Sequence, residues 1–441
     1  MKNKIFKILT LSVILLLSVC FMVACNQGNN SDEGTGDSNV QQNATADKYF
    51  TFTLLGDRTY LIKAKDIANM PANVVIPASY KRKAVTTIGD SAFRECQSLV
   101  SVEIPDSVTN IGDSAFRDCR SLVSVEIPDS VTSIGGYAFS GCSSLTSVVI
   151  PNGVTNIANY TFNTCSSLVS IEIPDGVTAI GDYAFYDCYK LTNVVIPDSV
   201  TTIGAKVFGH CSNLTSVEIP SGVTSIGFFA FESCNKLQYN VKENLKYLGN
   251  EENPYLYLVG VTSKDITSAS IDQNCRFVGD YAFSECASLI SVVIPDGVEV
   301  IGCSAFWFCR SMTSVVIPNS AIFIVNMAFY GCSSLTEIVI PDSVTSIGEL
   351  AFSGCSGLTS VVIGDSVTKI GYSAFSDCSS LTSVVIGDSV TSIGSFAFAG
   401  CSSLTSIKYR GTQTQWNKIT KGTNWNSNTD NYTITYNYTG E

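Results

Sequence analysis

The chain has 441 residues, of which 45% are hydrophobic and 15% charged, and its net charge is −12 with an isoelectric point of about 4.6. An acidic chain binds polyanions poorly, so nucleic acid and anionic lipid headgroups are excluded as electrostatic partners. The sequence has one histidine and lacks a Gly-x-x-x-x-Gly-Lys phosphate loop, a nucleophile elbow and a zinc-binding His pair, so nothing in it predicts an enzyme.

The first 24 residues are predicted to be a lipoprotein signal peptide. Three lysines precede an apolar stretch over residues 8–19, which is too short for a comfortable membrane span. The Met-Val-Ala-Cys at 22–25 resembles a bacterial lipobox, in which Cys25 is lipidated and becomes the mature N-terminus. An ordinary signal peptide with an incidental cysteine is the alternative.

The residues after the lipobox predict a folded domain that is held off a membrane. Residues 25–47 are almost wholly polar and are predicted to be a flexible tether. Residues 48–82 begin with apolar and polar alternation over 50–54 and reach a first strand at Val75-Ile76-Pro77, so we expect an N-terminal cap there. The lipid anchor is then the only expected membrane contact.

A 23-residue unit fills most of the remaining chain, as repeat block 1 over 83–237 and repeat block 2 over 277–407. A fixed period in this range predicts a solenoid, in which each unit buries its apolar face against its neighbours. The phenylalanines that mark the period are Phe93, Phe116, Phe139, Phe162, Phe185, Phe208, Phe231, Phe283, Phe306, Phe329, Phe352, Phe375 and Phe398.

Within one unit the pattern predicts a short β-strand followed by a turn. Val148 and Ile150 are two residues apart and are expected to point inward, which leaves Val149 outward. Pro151 cannot donate to a sheet ladder and should end the strand, and Gly153 is expected to supply a positive φ in the turn.

Two further slots repeat through the array. The glycine after the second isoleucine, as at Gly135 and Gly181, is expected to allow a tight bend. Thirteen of the seventeen cysteines share one slot, from Cys96 to Cys234 and from Cys286 to Cys401. Without the signal peptide and Cys25, fifteen thiols remain, an odd number that cannot all pair, so we predict a reduced, buried cysteine ladder in preference to disulfides or a zinc site.

The run Leu-Thr-Ser-Val-Val-Ile-Pro-Asp-Ser-Val-Thr-Ser-Ile-Gly-x-x-Ala-Phe-x-x-Cys resembles the BspA-type (Treponema pallidum-type) leucine-rich repeat over residues 48–441. The resemblance implies a β-rich leucine-rich-repeat solenoid on a secreted or surface protein of bacteria or mucosal protists. Some members of that family are implicated in adhesion to host matrix proteins or to other bacteria.

The array is interrupted and ends differently from the repeats. Residues 238–276 have a turn-rich centre between β-prone runs, which predicts a hairpin; it is either a second contact surface or a seam between the blocks. Residues 408–441 are predicted to be a C-terminal cap. Its Trp416 and Trp425 either close the last coil or stack on sugars.

The outward slot at the strand centre is the predicted ligand-binding face. It is acidic in block 1 and mostly valine in block 2, which favours a basic protein segment and an apolar contact. High strand propensity of valine and recent repeat duplication are the alternative explanation. The slot holds Glu103, Glu126, Val149, Glu172, Val195, Glu218, Val293, Val316, Val339, Val362, Val385 and Lys408.

A row of aspartates follows the strands, at Asp106, Asp129, Asp175, Asp198, Asp296, Asp342, Asp365 and Asp388. Calcium is conceivable there, but the spacing lacks the motif of calcium-binding β-rolls, so hydrogen bonding within the turn is expected. His210 beside Cys211 has no orienting group and is not expected to be catalytic. We expect no cofactor and no metal.

The functional expectation is a lipid-anchored, surface-exposed protein of the bacterial envelope that binds an extracellular or host protein, as an adhesin does. A carbohydrate-binding protein that uses the C-terminal aromatics is the first alternative. A structural spacer of the envelope is the second.

Overall fold

The computed structural model describes residues 45–429 and 432–440. The predicted signal peptide 1–24, the lipidation site Cys25 and the tether as far as residue 44 lie outside the described residues. The described residues belong to one compact unit. This unit is the predicted β-rich solenoid, with one coil for each 23-residue repeat.

One strand of each coil lies in a parallel, in-register stack that we call the strand face. It consists of sheets of seven, three and five strands in chain order. These strands are Asn73–Val75, Ser101–Glu103, Ser124–Glu126, Ser147–Val149, Ser170–Glu172, Asn193–Val195, Ser216–Glu218, Ser268–Ser270, Ser291–Val293, Ser314–Val315, Glu337–Ile340, Ser360–Ile363, Ser383–Ile386, Ser406–Tyr409 and Thr433–Thr435.

Shorter strands after the turn form a second stack, the side row, in sheets of six, four and ten strands. Strands in this stack that pair antiparallel belong to the N-terminal cap and the insertion. The strands are Phe50–Leu54, Tyr60–Ala64, Ser79–Tyr80, Lys83–Ile88, Asn110–Ile111, Ser133–Ile134, Asn156–Ile157, Ala179–Ile180, Thr202–Ile203, Ser225–Ile226, Asn240–Lys242, Leu245–Leu248, Tyr257–Val261, Phe277–Val278, Val300–Ile301, Phe323–Ile324, Ser346–Ile347, Lys369–Ile370, Ser392–Ile393 and Thr420–Lys421.

A third wall closes each coil without regular strand geometry. The backbone N–H groups of Ser91, Phe93 and Glu95 donate to carbonyls of the next coil at 2.8, 2.7 and 2.7 Å. Ser91 and Glu95 have φ of 55° and 61°, and the same two slots are left-handed through most of the array. Residues other than glycine rarely adopt this left-handed backbone conformation. The hydrogen bonds between coils therefore hold the wall in this conformation.

The core is a ladder of identical side chains along the solenoid. Phenylalanine rings of adjacent coils stack with centroids 5.0–5.8 Å apart within each block. Val148 and Ile150 are buried and Val149 is exposed, as predicted. A fully buried phenylalanine contributes about 1.5–3 kcal/mol of hydrophobic stabilisation, the same range as each buried Leu, Val or Ile of its coil.

The thirteen slot cysteines are buried, as predicted. In eleven coils the thiol donates a hydrogen bond to the phenylalanine carbonyl of the preceding coil, at sulfur–oxygen distances of 3.0–3.3 Å. Burial raises the pKa of the Cys119 thiol to about 12. The Cys119 thiol therefore remains protonated at neutral pH and is a poor nucleophile.

The positive φ predicted for Gly153 is wrong, because this glycine does not adopt one. The glycine after the second isoleucine lies against the neighbouring coil. A Cβ at Gly135 would lie 2.4 Å from the Asp113 carboxylate and 2.6 Å from the Asp113 backbone nitrogen. A Cβ at Gly181 would lie 2.4 Å from Asn159 Oδ1. Close approach of the neighbouring coil favours glycine in this slot, although Ala158 and Val325 occupy the equivalent position in two coils.

The insertion folds as antiparallel strands that continue the side row. Asn240–Lys242 pairs with Leu245–Leu248, which pairs in turn with Tyr257–Val261. Tyr257 and Leu258 then pair in parallel with Phe277–Val278, so repeat block 2 starts on the insertion.

Both ends of the solenoid are closed by aromatic rings. At the N-terminal cap, which also contains the 3-10 helices Asp47–Tyr49 and Ile67–Asn69, Phe52 stacks on Tyr80 at 3.8 Å. At the C-terminal cap, the helix Gln413–Lys418 starts with a capping box between Thr412 and Gln415.

Candidate functional site

The acidic part of the strand face lies on strands in exact parallel register. Glu103 is opposite Glu126 in the adjacent strand, and Glu172 is opposite Val195, which is opposite Glu218. Adjacent parallel strands are about 4.8 Å apart, so the four glutamates form one row along the solenoid. All four side chains are exposed.

The glutamates of this row are not neutralised by the protein's own cations. Glu103, Glu126, Glu172 and Glu218 take part in none of the ion pairs found among the described residues. Glu103 and Glu126 are on adjacent strands, whereas Val149 and Val195 separate the other glutamates of the row. The row therefore presents exposed negative charge to a cationic group of a partner.

The valine part of the face is only partly as predicted. Val293, Val316 and Val339 are 62%, 78% and 59% exposed, and they follow one another in consecutive coils. Val385, predicted to point outward to a ligand, is only 4% exposed, which contradicts that placement. Val362 and Lys408, in the neighbouring coils, are half-buried.

The C-terminal cap accounts for this difference. Lys408 pairs in register with Val385 on one side and with Thr435 on the other. The Lys408 ammonium lies 4.9 Å from the ring centroid of Tyr438, so the last residues fold back towards this end of the face. The accessible apolar row therefore ends near Val339.

The aspartate row has a different role at its C-terminal end from the one predicted. The carboxylate of Asp342 accepts a hydrogen bond of 2.7 Å from the backbone N–H of Asp365 in the next coil, so it links coils and not the two ends of one turn. The Asp365 carboxylate is paired with Arg410 at 3.0 Å. Across residues 45–429 and 432–440, no three His, Cys, Asp or Glu side chains cluster as metal ligands.

Another acceptor slot links coils and was missed in the sequence. Asp90 Oδ1 accepts from the backbone N–H of Asp113 at 3.0 Å, and Asn159 Oδ1 accepts from that of Asp182 at 2.9 Å. The signal was the Asp or Asn that often follows Ile-Gly in the repeat. These oxygens therefore help to hold adjacent coils together.

The His210–Cys211 pair does not form a nucleophile. His210 Nδ1 lies 3.1 Å from a carboxylate oxygen of Asp187, on the surface. The Cys211 thiol donates to the carbonyl of Phe185, and burial raises its pKa well above the usual value. The two side chains therefore serve separate structural contacts.

The C-terminal tryptophans contribute to the core of the cap. Trp416 is 5% exposed, and its ring packs edge-on against Tyr409 and Trp425. Trp425 packs in turn against Phe398, the last ring of the ladder. Trp416 therefore belongs to the core of the cap, and Trp425 is half-buried against the last coil.

The insertion has a feature that the sequence reasoning missed. An open cavity of about 220 Å3 lies beside the Leu245–Leu248 and Tyr257–Val261 strands. Tyr239, Lys246, Lys264 and Tyr281 contribute its polar lining. The available signal was the placement of lysines in an interruption of an otherwise acidic array.

The sequence profile described as BspA type leucine rich repeat region (6 copies) matches residues 73–189, 134–253, 261–378 and 322–439. These ranges cover most of the chain and both repeat blocks. The chain is therefore a member of the BspA-type leucine-rich-repeat family, as the repeat sequence indicated.

Solved structures of bacterial leucine-rich-repeat proteins are similar to the chain. A leucine rich cell surface protein from Faecalibacterium prausnitzii A2-165 is 34% identical, with 87% of this chain and 98% of that chain covered and a TM-score of 0.46. A leucine-rich repeat protein from Bacteroides ovatus is 30% identical, with 88% and 98% covered and a TM-score of 0.49. The T. pallidum leucine rich repeat protein is 34% identical, with 44% and 91% covered and a TM-score of 0.42.

No curated protein matches the chain. Within the described part of the chain, none of the helices has the length and apolar character needed to span a bilayer.

Proposed function

We propose that the chain is a cell-surface protein that binds an extracellular protein, such as a host matrix protein, through its strand face. The observation that carries the proposal is the row of exposed, unpaired glutamates at Glu103, Glu126 and their equivalents. A row of fixed negative charge favours a basic partner segment and accelerates encounter with it.

The exposed valines support a partner that also buries apolar surface. Val293, Val316 and Val339 stand on the same strand face as the glutamates and expose more than half of each side chain. Contiguous exposed apolar residues commonly mark an interaction surface. An interface with charge at one end and apolar contact at the other fits a protein better than a glycan.

The experiment is a solid-phase binding screen with the chain starting at residue 26, against immobilised matrix proteins and a glycan panel in parallel. The strand-face variant replaces Glu103, Glu126, Glu172 and Glu218 with Gln. The control variant makes the same replacement at Glu243, Glu251, Glu252 and Glu349, which are exposed elsewhere. We expect salt-sensitive binding to a protein that only the strand-face variant weakens.

Other results of the screen would replace the proposal. Binding restricted to glycans would favour the carbohydrate-binding alternative. If both glutamine variants weakened protein binding equally, the effect would come from net charge and not from a site on the strand face. Absence of binding to both the matrix proteins and the glycans would favour a structural spacer of the envelope.

We also propose that the protein is secreted and lipid-anchored to the bacterial envelope through Cys25. The lipobox-like sequence at 22–25 and the polar tether support this, and the similar F. prausnitzii protein is described as a cell surface protein. A Cys25→Ala variant expressed in a bacterial host should lose radiolabelled fatty acid. Retention of the label by that variant would contradict lipidation at Cys25.

A further inference from the structure

The cavity in the insertion combines features of a small-ligand site. Val259 and Gly260 line this open cavity together with Lys246, Lys264 and Tyr281. A concave surface with an apolar wall and a few converging polar groups is the usual form of such a site. The volume of about 220 Å3 suits a ligand of one ring.

The two lysines of the cavity differ from their neighbour Lys242. Lys242 forms an ion pair with Asp272 at 2.6 Å. Lys246 and Lys264 take part in no ion pair among the described residues. Two cations that line one cavity and are not paired with a carboxylate favour an anionic ligand.

Both ammonium groups are held in place by the protein. The Lys264 ammonium donates to the backbone carbonyl of Ser284, which leaves further N–H donors for a ligand. The Lys246 ammonium lies 5.8 Å from the ring centroid of Tyr239, and Tyr239 also lines the cavity. A cation that is already positioned loses less entropy when it binds an anion.

A β-bulge lies at the cavity wall. Lys246 is opposite Gly260 and Tyr247 is opposite Leu258, so Val259 is the extra residue. Bulges commonly redirect a side chain next to a functional site. Gly260 has no backbone reason to be glycine, because its φ is not positive and an added Cβ would meet nothing nearer than the Ala282 carbonyl at 3.6 Å. The missing side chain keeps the cavity open.

We propose that this cavity binds a small carboxylate ligand, either an acidic sugar or an acidic amino-acid side chain. The carboxylate would accept charge-assisted hydrogen bonds from Lys246 and Lys264, and the ligand's apolar part would contact Val259 and the Tyr239 ring. The site is separate from the strand face, so it does not depend on the proposed protein binding.

The test is isothermal titration calorimetry on the chain starting at residue 26, which contains the whole compact unit. The probes are glucuronic acid and N-acetylglutamate amide, with glucose and N-acetylglutamine amide as their neutral counterparts. Saturable binding of at least one acid, and none of its neutral counterpart, is expected at concentrations up to about 10 mM. The acid that binds identifies the source of the carboxylate.

Variants locate the site. Lys246→Gln and Lys264→Gln should each weaken binding about tenfold, the effect of one charge-assisted hydrogen bond. Lys190→Gln removes the same charge from an exposed position in block 1 and should change nothing. Gly260→Leu fills the cavity and should abolish binding while Gly260→Ala, which fits the available space, keeps the fold as a matched control.

Three results would overturn the proposal. They are no binding of either acid, equal binding of the neutral counterparts, and unchanged affinity in the Lys246→Gln, Lys264→Gln double variant. Circular dichroism and the melting temperature of each variant separate loss of the site from loss of the fold.

Discussion

Arg276 and Glu299 form a two-point ion pair, with Nε 2.9 Å from Oε1 and Nη2 3.1 Å from Oε2. The same guanidinium donates through Nη1 to the carbonyl of Val223 at 2.9 Å. Val223 belongs to the last part of repeat block 1 and Glu299 to repeat block 2. One side chain thus connects the two blocks across the insertion.

Replacing Arg276 with Ala should destabilise the protein by about 2 kcal/mol, because a part-buried carboxylate and a backbone carbonyl lose charged donors. Cooperativity between the blocks should fall as well, so chemical denaturation followed by circular dichroism should change from one transition towards two. Arg120→Ala, which removes an exposed pair with Asp118, is the control and should have little effect. A single unshifted transition for Arg276→Ala would contradict the linking role.

Asp280 should make stability depend on pH. Its Oδ1 accepts from the backbone N–H of Cys303 and its Oδ2 from that of Phe229, which joins the blocks a second time. Burial raises the pKa of the Asp280 carboxyl from 3.8 to about 6.

A raised folded-state pKa means that the protonated acid is favoured in the folded protein. This contribution is fully present below the unfolded pKa, declines as the pH rises through about 6 and is absent above that range. The unfolding free energy of the wild type minus that of Asp280→Asn should therefore fall between pH 4 and pH 7. The measurement is urea denaturation at each pH, and a difference that rises with pH would refute the expectation.

A methyl group added at Gly204 should disturb the packing between adjacent coils. A Cβ at Gly204 would lie 2.6 Å from the backbone nitrogen of Asp182, whereas at Gly222 it would meet only the Asp198 carbonyl at 3.5 Å. Gly204→Ala should therefore cost about 1–3 kcal/mol through overpacking, and Gly222→Ala should cost much less. Thermal denaturation of the pair checks this, and similar melting temperatures would show that the coils separate freely.

The cysteine ladder should resist alkylation in the folded protein. At pH 8 a thiol with a pKa of about 12, such as Cys119, is thiolate in about one molecule in ten thousand. In the chain starting at residue 26, iodoacetamide followed by mass spectrometry should modify first the half-buried Cys303, and all fifteen cysteines only after unfolding. If the denatured chain required a reductant before labelling, the cysteines would be paired and the reduced-ladder prediction would be wrong.

The period of 23 was enough to predict the solenoid, because the inward spacing of residues such as Val148 and Ile150 recurs in every unit. The left-handed backbone at Ser91 and Glu95 was not predictable, since bonds between coils and not residue preference impose it. Burial of Val385 depends on how the last residues fold back, which has no periodic signal. The cavity combines Lys246 and Lys264, whose approach follows from the insertion's strand pairing.

The bonds between coils run along the solenoid, and each coil contains 23 residues. A pull between the two ends of the solenoid would therefore load these bonds in series, so that coils detach one after another and not all at once. Each detached coil would release about 80 Å of extended chain, at 3.3–3.6 Å per residue. A chain with this architecture would lengthen stepwise under tension and dissipate the load coil by coil.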